Sequence, residues 1–277
     1  MKGFYNMDKR PIGVFDSGLG GLTTVRQLQK LMPHENIIYF GDTSRVPYGT
    51  RSKETVKRYA AQDIRFLQSK DVKMMIAACG TVSTNPPQEV IETLDIAYTG
   101  VLLPAVQAAC AATDGGRIGV IATTASIRSG VYGKAIRNIL HNPKIIGKAC
   151  PMFVPLIENG YVQRDNPITI AIAKEYLEPI LQEQIDTLIL GCTHYPIIKG
   201  LIGDVVGERV TLIDPGKEAA KYVQAFLTKK QLLNPQEEPG ECHYYVSDDV
   251  ENFAQNASVF LQDDIAKQVQ QIDIESY

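Results

Sequence analysis

Several short runs in this chain are apolar on nearly every residue, and each one stops at a turn. Pro11–Phe15, Asn36–Phe40, Val72–Ala78, Arg117–Thr123 and Leu188–Leu190 show no alternation of polar and apolar positions. A strand with one wet face alternates, so strands of this kind must be covered on both faces. The cover lies between them as helical patterns, at Gly20–Leu31 and Lys53–Gln68, with a further helix expected to begin near Pro87, since proline suits a first helical turn. Strands apolar on both faces and separated by helices fold into a mostly parallel sheet flanked by helices, an α/β class.

The pattern then restarts. Arg117-Ile-Gly-Val-Ile-Ala-Thr123 echoes Arg10-Pro-Ile-Gly-Val-Phe-Asp16, and each half runs on to a strand that ends in a cysteine, Cys79 or Cys192. A chain of 277 residues is long enough for two such lobes. The expected division is 1–100 together with 212–277 for the first lobe and 101–211 for the second, with the active site in the cleft between them. Beyond the second cysteine, the sequence predicts a strand at Arg209–Ile213 and a helix at Lys217–Thr228. A surface loop at Leu233–Gly240, an edge strand at His243–Ser247 and a last helix at Val250–Phe260 complete the chain.

Composition narrows the function. Hydrophobic residues make up 44% and charged residues 21%, which marks a globular chain rather than a disordered one. The net charge is −3 and the basic residues are scattered, so no nucleic-acid partner is expected. No apolar run approaches the roughly 20 residues that span a bilayer. The stretch Met1–Arg10 lacks the apolar core of a signal peptide, so a cytoplasmic protein without a membrane partner is expected. The five cysteines contain no CxxC pair, which favours reduced thiols over a disulfide framework and argues against a zinc site; no metal is expected.

In sheets of this kind ligands bind beyond the carboxyl ends of the strands. Asp16 and Ser17, Asp42, Cys79 and Thr81, Thr123 and Ser126, and Cys192 to His194 all fall at such ends. Either cysteine alone reads as a small buried hydrophobe. Two of them at the ends of equivalent strands suggest thiols converging on one cleft, able to take a proton from one face of a carbon and return one to the other. The glycine-rich turn Phe15–Gly21 lacks the spacing of a nucleotide loop, and by itself reads as a helix cap. Gly41–Gly49 reads as a loop in which Tyr48 supplies an aromatic wall and Gly49 an approachable amide.

Five blocks, in order, resemble the glutamate racemases of the cofactor-independent aspartate/glutamate racemase superfamily. They are Phe15–Gly21, Gly41–Gly49, Ala78-Cys-Gly-Thr81, Cys150-Pro151 through Glu158-Asn-Gly160, and Gly191-Cys-Thr-His-Tyr-Pro196. The resemblance implies a racemase acting on glutamate without a cofactor, supplying D-glutamate for peptidoglycan, with a homodimer left open. It implies that Cys79 and Cys192 are the acid/base thiols, assisted by Asp16 and His194 respectively. Ser17, Asp42, Tyr48, Gly49, Gly80, Thr81, Thr123, Ser126, Glu158 and Thr193 form the expected substrate-binding set. Gly80 stands where the resemblance leads one to expect Asn, which removes a side-chain amide. That departure keeps aspartate, hydantoin and other amino-acid racemases as alternatives. A hydrolase built on Cys192 and His194 would leave Cys79 unexplained, and a non-catalytic amino-acid binder would have no need of two acid/base groups.

Overall fold

The computed structural model describes residues 8–261 and 263–277. Among the described residues, ten strands form two wholly parallel sheets. The first contains β1 (Ile12–Asp16), β2 (Ile37–Gly41), β3 (Met74–Ala77), β4 (Ala97–Gly100), β9 (Cys242–Val246) and β10 (Val269–Gln271), in the order β10-β9-β2-β1-β3-β4. The second contains β5 (Arg117–Ala122), β6 (Lys144–Ala149), β7 (Thr187–Leu190) and β8 (Thr211–Ile213), in the order β6-β5-β7-β8. The run β2-β1-β3-β4 therefore recurs as β6-β5-β7-β8. β1 corresponds to β5, and β3, which leads into Cys79, corresponds to β7, which leads into Cys192.

Burial explains the sheets. Every residue of β1, β2, β3 and β7 is buried. Helix α1 (Leu22–Leu31) covers one face of the first sheet, packing on the helices Pro215–Lys230 and Val250–Leu261. Helix α2 (Lys53–Gln68) covers the other face, where Phe15, Phe40, Ile64, Phe66 and Met75 form a separate core. Each large apolar side chain so buried contributes about 1.5–3 kcal/mol. The helix starts are written locally. Ser52 accepts the Thr55 amide at the head of α2, and Asn166 caps Pro167–Leu181 by accepting the amides of Ile168 and Thr169, with Pro167 at the first helical position.

Three expectations need correction. The helix after β3 does not wait for Pro87: α3 (Gly80–Thr84) begins directly after Cys79, with the Ser83 amide donating to the Cys79 carbonyl at 2.9 Å. Pro86 then forces Asn85 out of helical backbone, and only one turn, Gln88–Ile91, follows Pro87. The strand expected at the edge, β9, is internal, because the three-residue β10 pairs along its open side. The second sheet also runs past the expected boundary at residue 211, since β8 ends at Ile213. Of the N-terminal stretch, residues 1–7 lie outside the described residues. Among the described residues no helix is long and apolar enough to cross a membrane.

Candidate active site

The carboxyl ends of both sheets face one cleft of about 330 Å³. Cys79, after β3, and Cys192, after β7, both line it, 5% and 6% exposed. A larger open groove of about 500 Å³ runs beside Met32, His34 and Gln224, but no cysteine lines it. Ser17, Tyr48, Gly49, Gly80, Thr81, Thr123, Glu158, Thr193 and His194 line the thiol cleft. Three others do not: Asp16, expected to assist Cys79, and Ser126 and Asp42, expected to bind substrate. Asp16 lies beneath the rim, 1% exposed, accepting the Gly18 amide at 3.0 Å and the Thr193 hydroxyl at 3.4 Å. Ser126 sits behind Thr123, whose hydroxyl donates to it at 3.0 Å. Asp42 is wholly buried and accepts from Arg45, Tyr48 and Ser247, so it holds protein rather than ligand.

The two thiols have different surroundings. Cys79 donates to Ser17 Oγ at 3.6 Å. Burial, reinforced by the Asp16 carboxylate, pushes its thiol up to about 12, so it holds its proton at neutral pH. Burial also raises the Asp16 carboxyl, against the opposing influence of His194. Cys192 Sγ lies 3.9 Å from Nδ1 of His194, whose Nε2 lies 2.9 Å from Glu158 Oε1. Burial works against the imidazolium, but Cys192 and Glu158 outweigh it and lift His194 to about 10. The His194 ring packs edge-on against Phe260 and nests on the first loop at Gly20, where a Cβ would lie 2.5 Å from its Nδ1.

Hydroxyls bridge the lobes. Thr81 on α3 and Thr123 after β5 lie 3.0 Å apart, oxygen to oxygen, and Thr23 on α1 donates to the Thr193 carbonyl at 2.9 Å. At Gly80 the backbones meet: a Cβ there would lie 2.5 Å from the Gly191 carbonyl oxygen. The place where an Asn side chain was expected is therefore taken by the other lobe's main chain.

Sequence reasoning passed over several lining positions. Cys150, after β6, brings a third thiol to the cleft, and Val46, Pro47, Val154 and Pro155 give it apolar walls. The strand-end position of Cys150 was the available signal, hidden because β6 carries Lys144 and Lys148 and is only partly buried. Among the described residues no three His, Cys, Asp or Glu side chains converge to hold a metal ion.

Known proteins resemble this chain in sequence and fold. The model of the Asp/Glu/hydantoin racemase family matches residues 22–223. A glutamate racemase of Geobacter metallireducens is 44% identical over 92% of this chain and 94% of its own. Another from Thermoanaerobacter pseudethanolicus is 43% identical over 98% of this chain and 100% of its own. The crystal structure of the glutamate racemase from Francisella tularensis in complex with D-glutamate superposes with a TM-score of 0.90 at 39% identity, covering 98% of this chain and 100% of that one. Motifs, repeated topology and these likenesses agree, and the chain belongs to the Asp/Glu/hydantoin racemase family.

Proposed function

We propose that this protein is a glutamate racemase that interconverts L- and D-glutamate by proton transfer between two cysteines. The observation that carries the reading is that a thiol from each sheet lines one small cleft, each with a different protonation partner. The likeness to curated glutamate racemases, and to one crystallised with D-glutamate, supports the choice of substrate.

The α-hydrogen of an amino acid is a very weak acid, so a base alone is insufficient. The charge that develops on the substrate must be met by fixed donors in a site with little water. Ser17, Thr81, Thr123 and Thr193 are the hydroxyls at hand. At rest Cys79 keeps its proton and is the acid. Cys192 faces the protonated His194, the counter-charge a thiolate needs, and is the base. Cys192 takes the α-proton from one face while Cys79 gives its own to the other. The reverse reaction starts from the exchanged state, with Asp16 and the His194–Glu158 pair moving protons to and from the thiols. The D-glutamate formed serves peptidoglycan synthesis in the cytoplasm.

Incubation with each glutamate enantiomer in D2O, without added cofactor, tests the reading. Circular dichroism should decay to zero while deuterium enters the α-carbon. Absence of both with either enantiomer would reject glutamate, and the same assay on aspartate would then test the nearest alternative.

A further inference from the structure

Behind the cleft wall formed by Val46–Thr50 lies a cluster of buried charge that the proton-transfer mechanism does not use. Asp42 and Arg45 follow β2, Tyr48 belongs to the cleft wall, and Asp63 projects from α2. Both aspartates are 0% exposed. Arg45 Nε donates to Asp42 at 2.6 Å, and its two terminal nitrogens donate to Asp63 at 3.4 Å and to Gln62 at 2.6 Å. Its guanidinium also lies over the Tyr59 ring, 4.2 Å from the centroid.

Two features count protons. The Tyr48 hydroxyl donates to Asp42 through a short bond and also lies 3.3 Å from Asp63 Oδ2. One hydroxyl has one proton for two carboxyls. Asp42 takes the shorter bond and two further donors, Arg45 and Ser247, whereas Asp63 receives this 3.3 Å contact and a 3.4 Å bond from Arg45, so Asp63 is the less compensated of the two. Charge leads to the same result. Two buried carboxylates face one guanidinium, and the third carboxylate on Arg45, Glu275, stands in solvent. An excess buried negative charge is costly unless a proton removes it.

We propose that Asp63 is a positioning residue of the cleft, a neutral carboxylic acid hydrogen-bonded to both Tyr48 and Arg45, which locks the Val46–Thr50 wall against α2. The groups facing it are Asp42, Arg45 and Tyr48 from the segment after β2, and Asp16 from the end of β1, with Tyr59 and Glu275 acting through Arg45. Burial first, and the Asp42 carboxylate second, push the Asp63 carboxyl well above the usual range. The wall it holds packs across the cleft: a Cβ at Gly49 would lie 3.0 Å from Thr123 Cβ. Loss of the lock therefore loosens the substrate site without removing any group that touches the substrate.

Asp63→Asn copies the neutral acid, and Asp63→Ala removes it. The measurements are amide hydrogen exchange over residues 43–50, corrected for intrinsic rates, and KM and kcat for glutamate, each from neutral to alkaline pH. Asp63→Asn should keep wild-type protection and KM. Asp63→Ala should speed exchange and raise KM by about tenfold, the loss of a hydrogen bond to a charged group, with a smaller change in kcat. Wild type should lose protection toward alkaline pH, and Asp63→Asn should not. Wild-type protection in Asp63→Ala, or an Asp63→Asn variant as loose as Asp63→Ala, would overturn the proposal. If Asp63→Ala does not fold, the pH dependence of Asp63→Asn against wild type decides alone. The kinetic arm rests on the glutamate racemase reading, whereas the exchange arm does not, so a protein inactive on glutamate still tests the lock.

Discussion

Gly80 is where the two lobes touch main chain to main chain, and adding one methyl group there should separate the two cleft thiols. An alanine Cβ would lie 2.5 Å from the Gly191 oxygen and 3.8 Å from Cys192 Cα. Ordinary contact needs about 3.5 Å, so the backbones must part by about 1 Å. No side-chain rotation can relieve the clash, because the obstacle is a carbonyl. Gly191 is itself held by its amide bond to the Ile121 carbonyl at 2.7 Å. Cys79 directly precedes Gly80 and Cys192 directly follows Gly191, so the displacement falls on both thiols. A misplacement of about 1 Å costs up to about 10²-fold in rate. Gly80→Ala should therefore lower kcat by about 10- to 100-fold in both directions, with a smaller change in KM. Overpacking should also lower stability by about 1–3 kcal/mol, read as a shift of the denaturant midpoint. Racemisation followed by circular dichroism measures the first effect. A variant with wild-type kcat in both directions would refute the argument that this contact sets the thiol spacing.

Other perturbations test separate links. Cys79→Ser and Cys192→Ser should each lower racemisation by about 10²–10⁴-fold, the usual contribution of a general acid or base; a hydrolase built on Cys192 would tolerate the first. His194 is raised from 6.5 to about 10 on folding, so its stabilisation is complete below about pH 6.5 and is lost as pH rises through 10. The difference in melting temperature between wild type and His194→Asn should accordingly be largest in mild acid and shrink toward pH 10, and a gap that widens with pH would contradict the assignment. Thr81→Val breaks the 3.0 Å bridge to Thr123, which keeps its bonds to Ser126, and should raise KM for glutamate by up to about tenfold, the net worth of one hydrogen bond.

The two halves were legible because burial on both faces leaves an unbroken apolar run, as in β1, β2, β3 and β7. Where that condition fails, the signal weakens: β8 and β9 still showed, while β6 and β10 did not. β6 has no buried residue and carries lysines at both ends of its core, yet it pairs along the whole of β5. β10 is three residues long with two of them exposed, too short for any period to show, and it alone turns β9 from an edge into an interior strand. The helix α3 is five residues long and is fixed by the carbonyl of Cys79 rather than by an amphipathic pattern.

The site divides along the same physical line. Cys79, Cys192, Thr81, Thr123 and His194 were visible because a strand end places whatever follows it at the cleft. Asp42 satisfies that rule equally well, after β2, and yet turns inward. The difference lies three and six residues further on: Arg45 and Tyr48 both reach back to its carboxylate, and Ser247, two hundred residues away, donates to its second oxygen at 2.8 Å. Once three donors have met a carboxylate it has little capacity left for a ligand, whatever its position in the fold. Position at a strand end therefore nominates a residue, while the count of donors already spent on it decides whether it can serve the substrate. By the same count Thr193 stays available, since its hydroxyl gives Asp16 only a long 3.4 Å bond that a substrate oxygen could replace.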